Sequence, residues 1–361
     1  MLAMAMKEFR QMFRDHRTLA LMIVQPVVLL VVFGYAASFD VDQVDAVVMG
    51  PRAAQVAAAL PEQLEVVRVA PDQGREEGVD ALRDGEAVVA VVTAEGGQPQ
   101  VLVDGANLFA ARSVVTALKG RPELPEAEVL FNPELKTSTI MVPGLMGVVL
   151  VFVGTIATAL GVVRERQSGT LEQLAVMPFR ARDVLTGKLL PYLLVAAVDL
   201  VVIVAVGVLV FDVPFAGSPL VFALGALLFL FVTVGTGVLI STVSETQGQA
   251  IQLALLIMLP QILLSGLIFP LDAMAPGVRW IGYLLPLTYF IEVARGVMVK
   301  GTPFDALLLP LGMLAVLGSV VFGLSIARFR RDLAPAARRH GRRPATDTGE
   351  GRAAPIRTGA K

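Results

Sequence analysis

The chain alternates long apolar runs with short polar breaks, and that rhythm carries most of its architecture. Leu19–Phe39 is apolar throughout, as are Ile140–Val163, Leu189–Phe211, Leu220–Thr242, Ala250–Phe269 and a run from about Leu307 to Ala327. Each is close to the roughly 20 residues that cross the hydrocarbon of a bilayer as a helix. Six spans, an even number, place both termini on one side. Before the first run, Leu2, Met6, Phe9 and Phe13 repeat at helical spacing beside a stripe of Lys7, Arg10, Arg14 and Arg17. Residues 1–18 are therefore expected to form an amphipathic helix lying in the headgroup layer, leading into a first span over 19–39. Small residues at Gly34–Ser38 imitate a signal-peptidase site, but the length of the apolar run favours an uncleaved anchor.

Between the first and second spans the pattern changes from continuous to alternating. Val44–Met49, Leu64–Ala70, Glu86–Thr93 and Gln98–Asp104 read as short strands. Arg52–Leu60, Arg75–Arg83 and Asn107–Lys119 read as helices, with Pro and Gly between them. The order β-α-β-α-β-β-α predicts an α/β domain over residues 40–138, a normal domain size. The expected fold is thus an α-helical polytopic membrane protein of six transmembrane helices, with an extracytoplasmic α/β domain inserted between helices 1 and 2.

Composition agrees with the membrane reading. The chain is 55% hydrophobic and 17% charged. It has no cysteine and only two histidines, His16 and His340, so disulfides, thiolate metal sites and histidine-rich metal sites are excluded. The net charge of −1 conceals a segregation of sign. Residues 40–138 hold 17 acidic and 8 basic residues, a net of −9, whereas 328–361 hold 10 basic and 3 acidic, a net of +7. Four basic residues precede the first span, five lie in Val162–Lys188, and the tail opens with Arg328, Arg330 and Arg331. By the positive-inside rule these are cytoplasmic, and both termini are inside. Arg279, Arg295 and Lys300 fall on the opposite side and count against that rule. The loop Val243–Gly248 has no basic residue and contributes nothing to it. The tail at 328–361 is expected to be disordered and to lie against anionic lipid, with no aromatic interleaving for nucleic acid.

Three features carry candidate chemistry. Val162–Lys188 is polar and helix-compatible between two spans, so it either caps them or offers them to a soluble partner; its charges favour the second reading. Asp199 stands in mid-span, where an ionisable group marks a functional site by default, although a hydrogen-bonded aspartate facing other helices is the blander reading. Gln249 and Gln252, three apart, and Gln261 and Ser265, four apart, put polar pairs on faces of the fifth span, as a path lining or as glue between helices. Asp199, Gln252, Gln261 and Ser265 are the candidates for a translocation path. Gly266–Gly301 is broken by Pro270, Pro276 and Pro286 yet is too apolar for an ordinary loop. It reads as external re-entrant helices over 270–300, with Trp280, Tyr283 and Tyr289 near headgroup level. A phosphate-binding loop is missing: the one Gly-Lys pair, Gly187–Lys188, precedes leucine, and Arg182 stands where the first glycine would be needed.

The chain resembles the membrane subunit of a type-2 class ABC exporter, a bacterial permease of the drug and antibiotic export kind. The resemblance rests on NPELKTSTIMVPG (132–144), RERQSGTLEQLAVMPF (164–179), GKLLPY (187–192), SGLIFPLDAMA (265–275) and LPLTYFIEVARGVMVKG (285–301). It implies a five-helix domain over 139–327 with a cytoplasmic coupling helix at 164–179, on which Arg164, Glu165, Arg166, Gly169, Thr170, Glu172 and Pro178 would engage an ATPase. It implies an external gate at Pro286, Thr288, Tyr289 and Arg295. The glutamine usual in the third helix is Asp199 here, which departs from the pattern. The expected function is export of an amphipathic or hydrophobic substrate, a drug, antibiotic or lipid-like molecule, across a bacterial inner membrane. The chain itself would hold no cofactor and not be an enzyme, with ATP and magnesium on a separate ABC ATPase subunit. Further partners implied are a second permease copy or paralogue and membrane lipids, with a periplasmic adaptor suggested by the acidic external domain. The alternatives are a receptor or scaffold that senses an external ligand without transport, and an ABC-coupled sodium exporter.

Overall fold

The computed structural model describes residues 44–61, 63–95, 98–119, 127–168 and 181–333. The amphipathic helix and first span expected before residue 44, most of the expected coupling helix (169–179) and the tail after 333 lie outside the described residues.

The alternating segment folds into a five-stranded sheet. β1 (Val44–Met49) leads to α1 (Ala53–Ala59), β2 (Leu64–Ala70), α2 (Arg75–Asp84), β3 (Val89–Val92), β4 (Gln100–Asp104), α3 (Leu108–Lys119) and β5 (Ala127–Leu130). Strand order is β2-β1-β3-β4-β5, with β3–β4 antiparallel and the other pairs parallel. Both faces of the central strands are covered, so their side chains divide by parity. Ala46, Val48, Val89, Val91, Val101 and Val103 meet Ala53 of α1 and Ala110, Ala111 and Val114 of α3. Val47, Met49, Ala90, Val92 and Leu102 meet Ala81 and Leu82 of α2. Each buried valine or leucine contributes roughly 1.5–3 kcal/mol. β2 is an edge strand whose residues alternate between half-buried and exposed. Two glycines are required by geometry. Gly85 ends α2 with φ 79° as its left-handed cap, and Gly50, at φ 96°, lies so close to the Thr93 carbonyl that a Cβ would collide with it.

The apolar runs are helices. α4 (Thr137–Gln167) contains a π-helical turn at Val153–Ala157. α5 (Ala181–Phe211), α6 (Pro219–Val243) and α7 (Gln247–Leu264) follow. Two shorter helices, α8 (Pro276–Gly282) and α9 (Pro286–Lys300, π-helical from Gly296), are bent by 74° at the residues between them. The last helix, α10 (Leu308–Leu333), closes the described part. Among the described residues five helices are long and apolar enough to cross a membrane, or six if α8–α9 counts as one broken span. α4 and α5, 31 residues each, extend about 46 Å and outreach a hydrocarbon layer about 30 Å thick.

α6 is the centre of the bundle, packing on α4, α9 and α10. Small residues let it approach α4: Gly154 rests on Thr233, Gly237 rests on Thr155 and Thr158, and the Thr155 hydroxyl donates to the Thr233 carbonyl at 3.2 Å. Phe229 of α6 stacks on Phe290 of α9 with centroids 4.4 Å apart. α5 is the contrary case: its apolar window is 11% buried, against 61% for α6, and Leu194, Val195, Val198, Val201, Val202 and Leu209 are exposed. Helix ends segregate. The starts of α4 and α6 and the turn after α7 lie near the α/β domain, while Gln167 and Val243–Gln247 meet at the opposite end.

Candidate functional site

The α8–α9 hairpin is built by its prolines. Pro276 and Pro286 each occupy the first turn of a helix, where a missing N–H costs nothing. Two side chains close the bend: Thr288 Oγ1 donates to the Gly282 carbonyl at 2.7 Å and Tyr289 Oη donates to the Tyr283 carbonyl at 2.5 Å. α9 buries Leu287, Phe290, Ile291, Val293 and Ala294 against the bundle. Its other side carries Glu292, Arg295 and Lys300 toward the α/β domain.

Arg295 reaches back to two carbonyls, with Nε donating to Ile140 of α4 at 3.1 Å and an Nη donating to Gly266 at 3.4 Å. Lys300 crosses to the α/β domain. Its Nζ lies 2.5 Å from Asp104 Oδ2, donates to the Leu82 carbonyl at 2.9 Å, and sits 6.0 Å from the centre of the Phe131 ring. The second carboxylate oxygen of Asp104 accepts the Ala106 N–H at 2.8 Å. The side chains of Lys300 and Asp104 are 14% and 4% exposed, so water screens this pair little. Burial pushes the Asp104 carboxyl up, opposed by Lys300 and by the Ala106 N–H. Thr302 Oγ1 adds a bond to the Arg83 carbonyl at 2.8 Å.

The connection from β5 to α4 is equally tied. Phe131 and Leu135 hold left-handed backbone, φ 63° and 47°, and the Asn132 side chain between them braces the turn. Its Nδ2 donates to the carbonyls of Gly105 and Lys136, and its Oδ1 accepts the Lys136 N–H. Between domain and hairpin lies a cleft of about 610 Å³.

At the opposite end of α4, Arg164 is exposed and Glu165 and Arg166 are half-buried. An Arg166 Nη donates to the Ser244 carbonyl at 3.3 Å, Gln167 Nε2 to the Glu245 carbonyl at 3.4 Å, and Gln247 Nε2 to Gln167 Oε1 at 3.1 Å. Glu245 N–H in turn donates to Gln249 Oε1 at 2.9 Å. Gly169, Thr170, Glu172 and Pro178 lie outside the described residues.

The structure gathers the residues expected at the external gate: Pro286 starts α9, Thr288 and Tyr289 close its bend, and Arg295 ties it to α4. The four path candidates stand differently. Gln261 and Ser265 are buried together at the end of α7, and Gln261 Oε1 and Ser265 Oγ lack hydrogen-bond partners among the described residues. Gln252, whose Oε1 is also without a partner among the described residues, is nine residues from Gln261, about half a turn out of phase. Asp199 is half-buried on α5, which packs on α4, α6 and α10, whereas α7 packs on α4, α6 and the hairpin.

Sequence reasoning passed over Asp104 and Thr302, took Asn132 only as the start of a motif, and read Lys300 only as part of another motif and as a charge on the wrong side. That anomaly was the signal. A cation that breaks the orientation rule has a reason to be there, and here the reason is a buried carboxylate. The loop at Val243–Gly248, silent for orientation, proves to be held by Arg166 and Gln167.

Fold and site together define a multi-pass membrane permease with a soluble domain clamped to one end. The chain belongs to the ABC-2 transporter family: the family model described as "ABC-2 family transporter protein" matches residues 16–327. It is similar to two Escherichia coli K12 proteins named as probable multidrug ABC transporter permeases. YbhR is 29% identical over 248 residues, covering 64% of this chain and 67% of YbhR. YbhS is 26% identical over 364 residues, covering 92% of this chain and 97% of YbhS. The inner membrane transport permease YhhJ is 30% identical over 218 residues, covering 59% and 57%. The resemblance drawn from the motifs is thereby borne out at the level of family and permease class.

Proposed function

We infer that this chain is the permease subunit of an ATP-driven exporter that moves an amphipathic or hydrophobic molecule out of the cytoplasm or inner leaflet. The α/β domain then faces outward and both termini inward, the orientation that most of the basic residues near the span ends favour. ATP and magnesium are held by a separate ATPase subunit docked on residues 164–179, and two permease subunits pair. The observation that carries this reading is α4. It runs from the clamped domain junction at Thr137 to Gln167, where Arg166 and Gln167 grip the loop joining α6 to α7. Force applied just beyond Gln167 reaches three spans at once, which is what a soluble motor would need. The test is co-purification with the cognate ATPase, comparing wild type with Glu172→Ala and Gly169→Pro. Loss of complex formation, or of permease-dependent ATP hydrolysis, is expected. Unchanged complex and unchanged activity would falsify the assignment.

A further inference from the structure

We propose that the π-helical end of α9 is a two-position switch. Docking of the loop between α5 and α6 (212–218) holds it in the π form and so fastens the α/β domain; undocking releases both. This rests on the export reading for its source of motion, since α5 begins just beyond the segment assigned to the ATPase.

The π form is a choice of partners among backbone groups. A helix that ends on a left-handed glycine usually bonds that glycine's N–H, and the next one along, to two carbonyls of its own last turn. With Gly301 at φ 66°, those bonds would run from Thr302 to Val297 and from Gly301 to Met298. Both donors go instead to the Gly296 carbonyl, Thr302 at 2.9 Å. The two carbonyls so vacated accept from the loop: the Gly217 N–H donates to Val297 and the Ala216 N–H to Met298, each at 2.9 Å. The fit is close, because a Cβ on Gly217 would stand 2.7 Å from the Val297 carbonyl oxygen. Val297 and Met298 are fully buried, so their carbonyls cannot be left bare without cost. With the loop away, the helix's own Gly301 and Thr302 N–H groups take them. Loop and helix end therefore compete for the same two acceptors.

The position of Lys300 follows from that choice. It closes the π turn, Thr302 follows the cap, and these two side chains make the bonds to Asp104, Leu82 and Arg83. Rewinding to the ordinary cap turns both residues about the axis of α9 and off those partners. π-helical turns are rare and are found mostly at functional sites. Here the loop and the domain bias one element with two arrangements, which is the physical requirement for coupling between them.

The test uses the purified full chain in phosphatidylcholine nanodiscs, without ATPase, and reads each side of the switch while the other is broken. Gly217→Ala should push the loop off the helix end and speed acetylation of Lys300 by a water-soluble succinimidyl ester, with the exposed Lys136 as internal reference. Asp104→Asn should speed hydrogen exchange at the Ala216 and Gly217 amides. Coupling is reciprocal, so the two increases should be alike, about tenfold within the roughly 5- to 150-fold usual for coupled sites. Gly277→Ala, where a Cβ meets nothing within 4 Å, should change neither. Unchanged Lys300 acetylation in Gly217→Ala, or unchanged loop exchange in Asp104→Asn, overturns the proposal. If Gly217→Ala also loses protection across β3 it has unfolded, and the Asp104→Asn measurement then decides alone. Because both readouts are taken on the permease alone, failure here leaves the ATPase co-purification result standing, and the reverse also holds.

Discussion

The α/β domain and the helical bundle solve the burial problem in opposite ways. In the domain, apolar residues go inside by parity along each strand, and the surface is charged. In the bundle, apolar residues face both ways. What marks an interior helix is glycine and threonine at the contacts, as on α6, while α5 turns valine and leucine outward. Water sorts residues in the first region, whereas in the second lipid is as apolar as leucine and only close packing and internal hydrogen bonds discriminate. The lesson is that hydrophobicity locates the core of the domain but only the length of a span, and the buried contacts of a span must be found from its small and polar residues.

That contrast can be broken or sharpened by substitution. The largest effect is expected where the two regions meet. Asp104→Ala leaves Lys300 buried without its counter-charge and should cost about 3–5 kcal/mol, read as loss of the domain–hairpin junction in hydrogen exchange of the full chain. Asp104→Asn combined with Lys300→Met should cost clearly less than the two single changes added together. Additive costs would show that the pair is not coupled. Next, Gly237→Val on α6 should cost about 1–3 kcal/mol by overpacking against Thr155 and Thr158. Val201→Leu, on the exposed side of α5, should stay within about 0.5 kcal/mol in thermal unfolding. Similar losses at both would erase the distinction drawn between interior and outer helices. In the domain, Gly85→Ala should cost about 1 kcal/mol through its φ of 79°. The smallest effect concerns Glu77, whose carboxyl is held below the usual 4.5 by its own N–H and by the Gly74 N–H at the start of α2. A lowered folded value gives stability that is present above 4.5 and lost as pH falls through that lower value. Protection of α2 amides should therefore fall slightly faster below pH 4.5 in wild type than in Glu77→Gln.

Much of this was legible in the sequence because each region obeys a simple periodicity. β1 and β2 fall where alternation put them, and the five described spans fall on the five later apolar runs. β5 was missed because Ala127–Leu130 is four residues long and follows a proline- and glutamate-rich stretch; its place is set by pairing to β4, a contact no local pattern encodes. Thr288, Tyr289 and Arg295 were singled out through motif resemblance as an outer gate, and what the structure gives them is a set of bonds bracing one hairpin. Asp104 and Lys300 lie 196 positions apart, one at the end of a strand and one at the end of a helix, so neither period could join them. Composition hints at such pairs only where a charge stands in an unlikely place.

The clamp at Lys300 makes the α/β domain a pointer. Lys300 closes the π-helical end of α9, and three bonds from Lys300 and Thr302 pass directly into Asp104, Leu82 and Arg83, tying the end of that helix to the domain. Edge strand β2 lies at the far margin of the sheet from β4, which carries Asp104. The chain contains no cysteine. A single cysteine introduced at the exposed Glu65 would therefore carry one dye, on the edge strand farthest from the clamp, where any turn of the domain about α9 would show most.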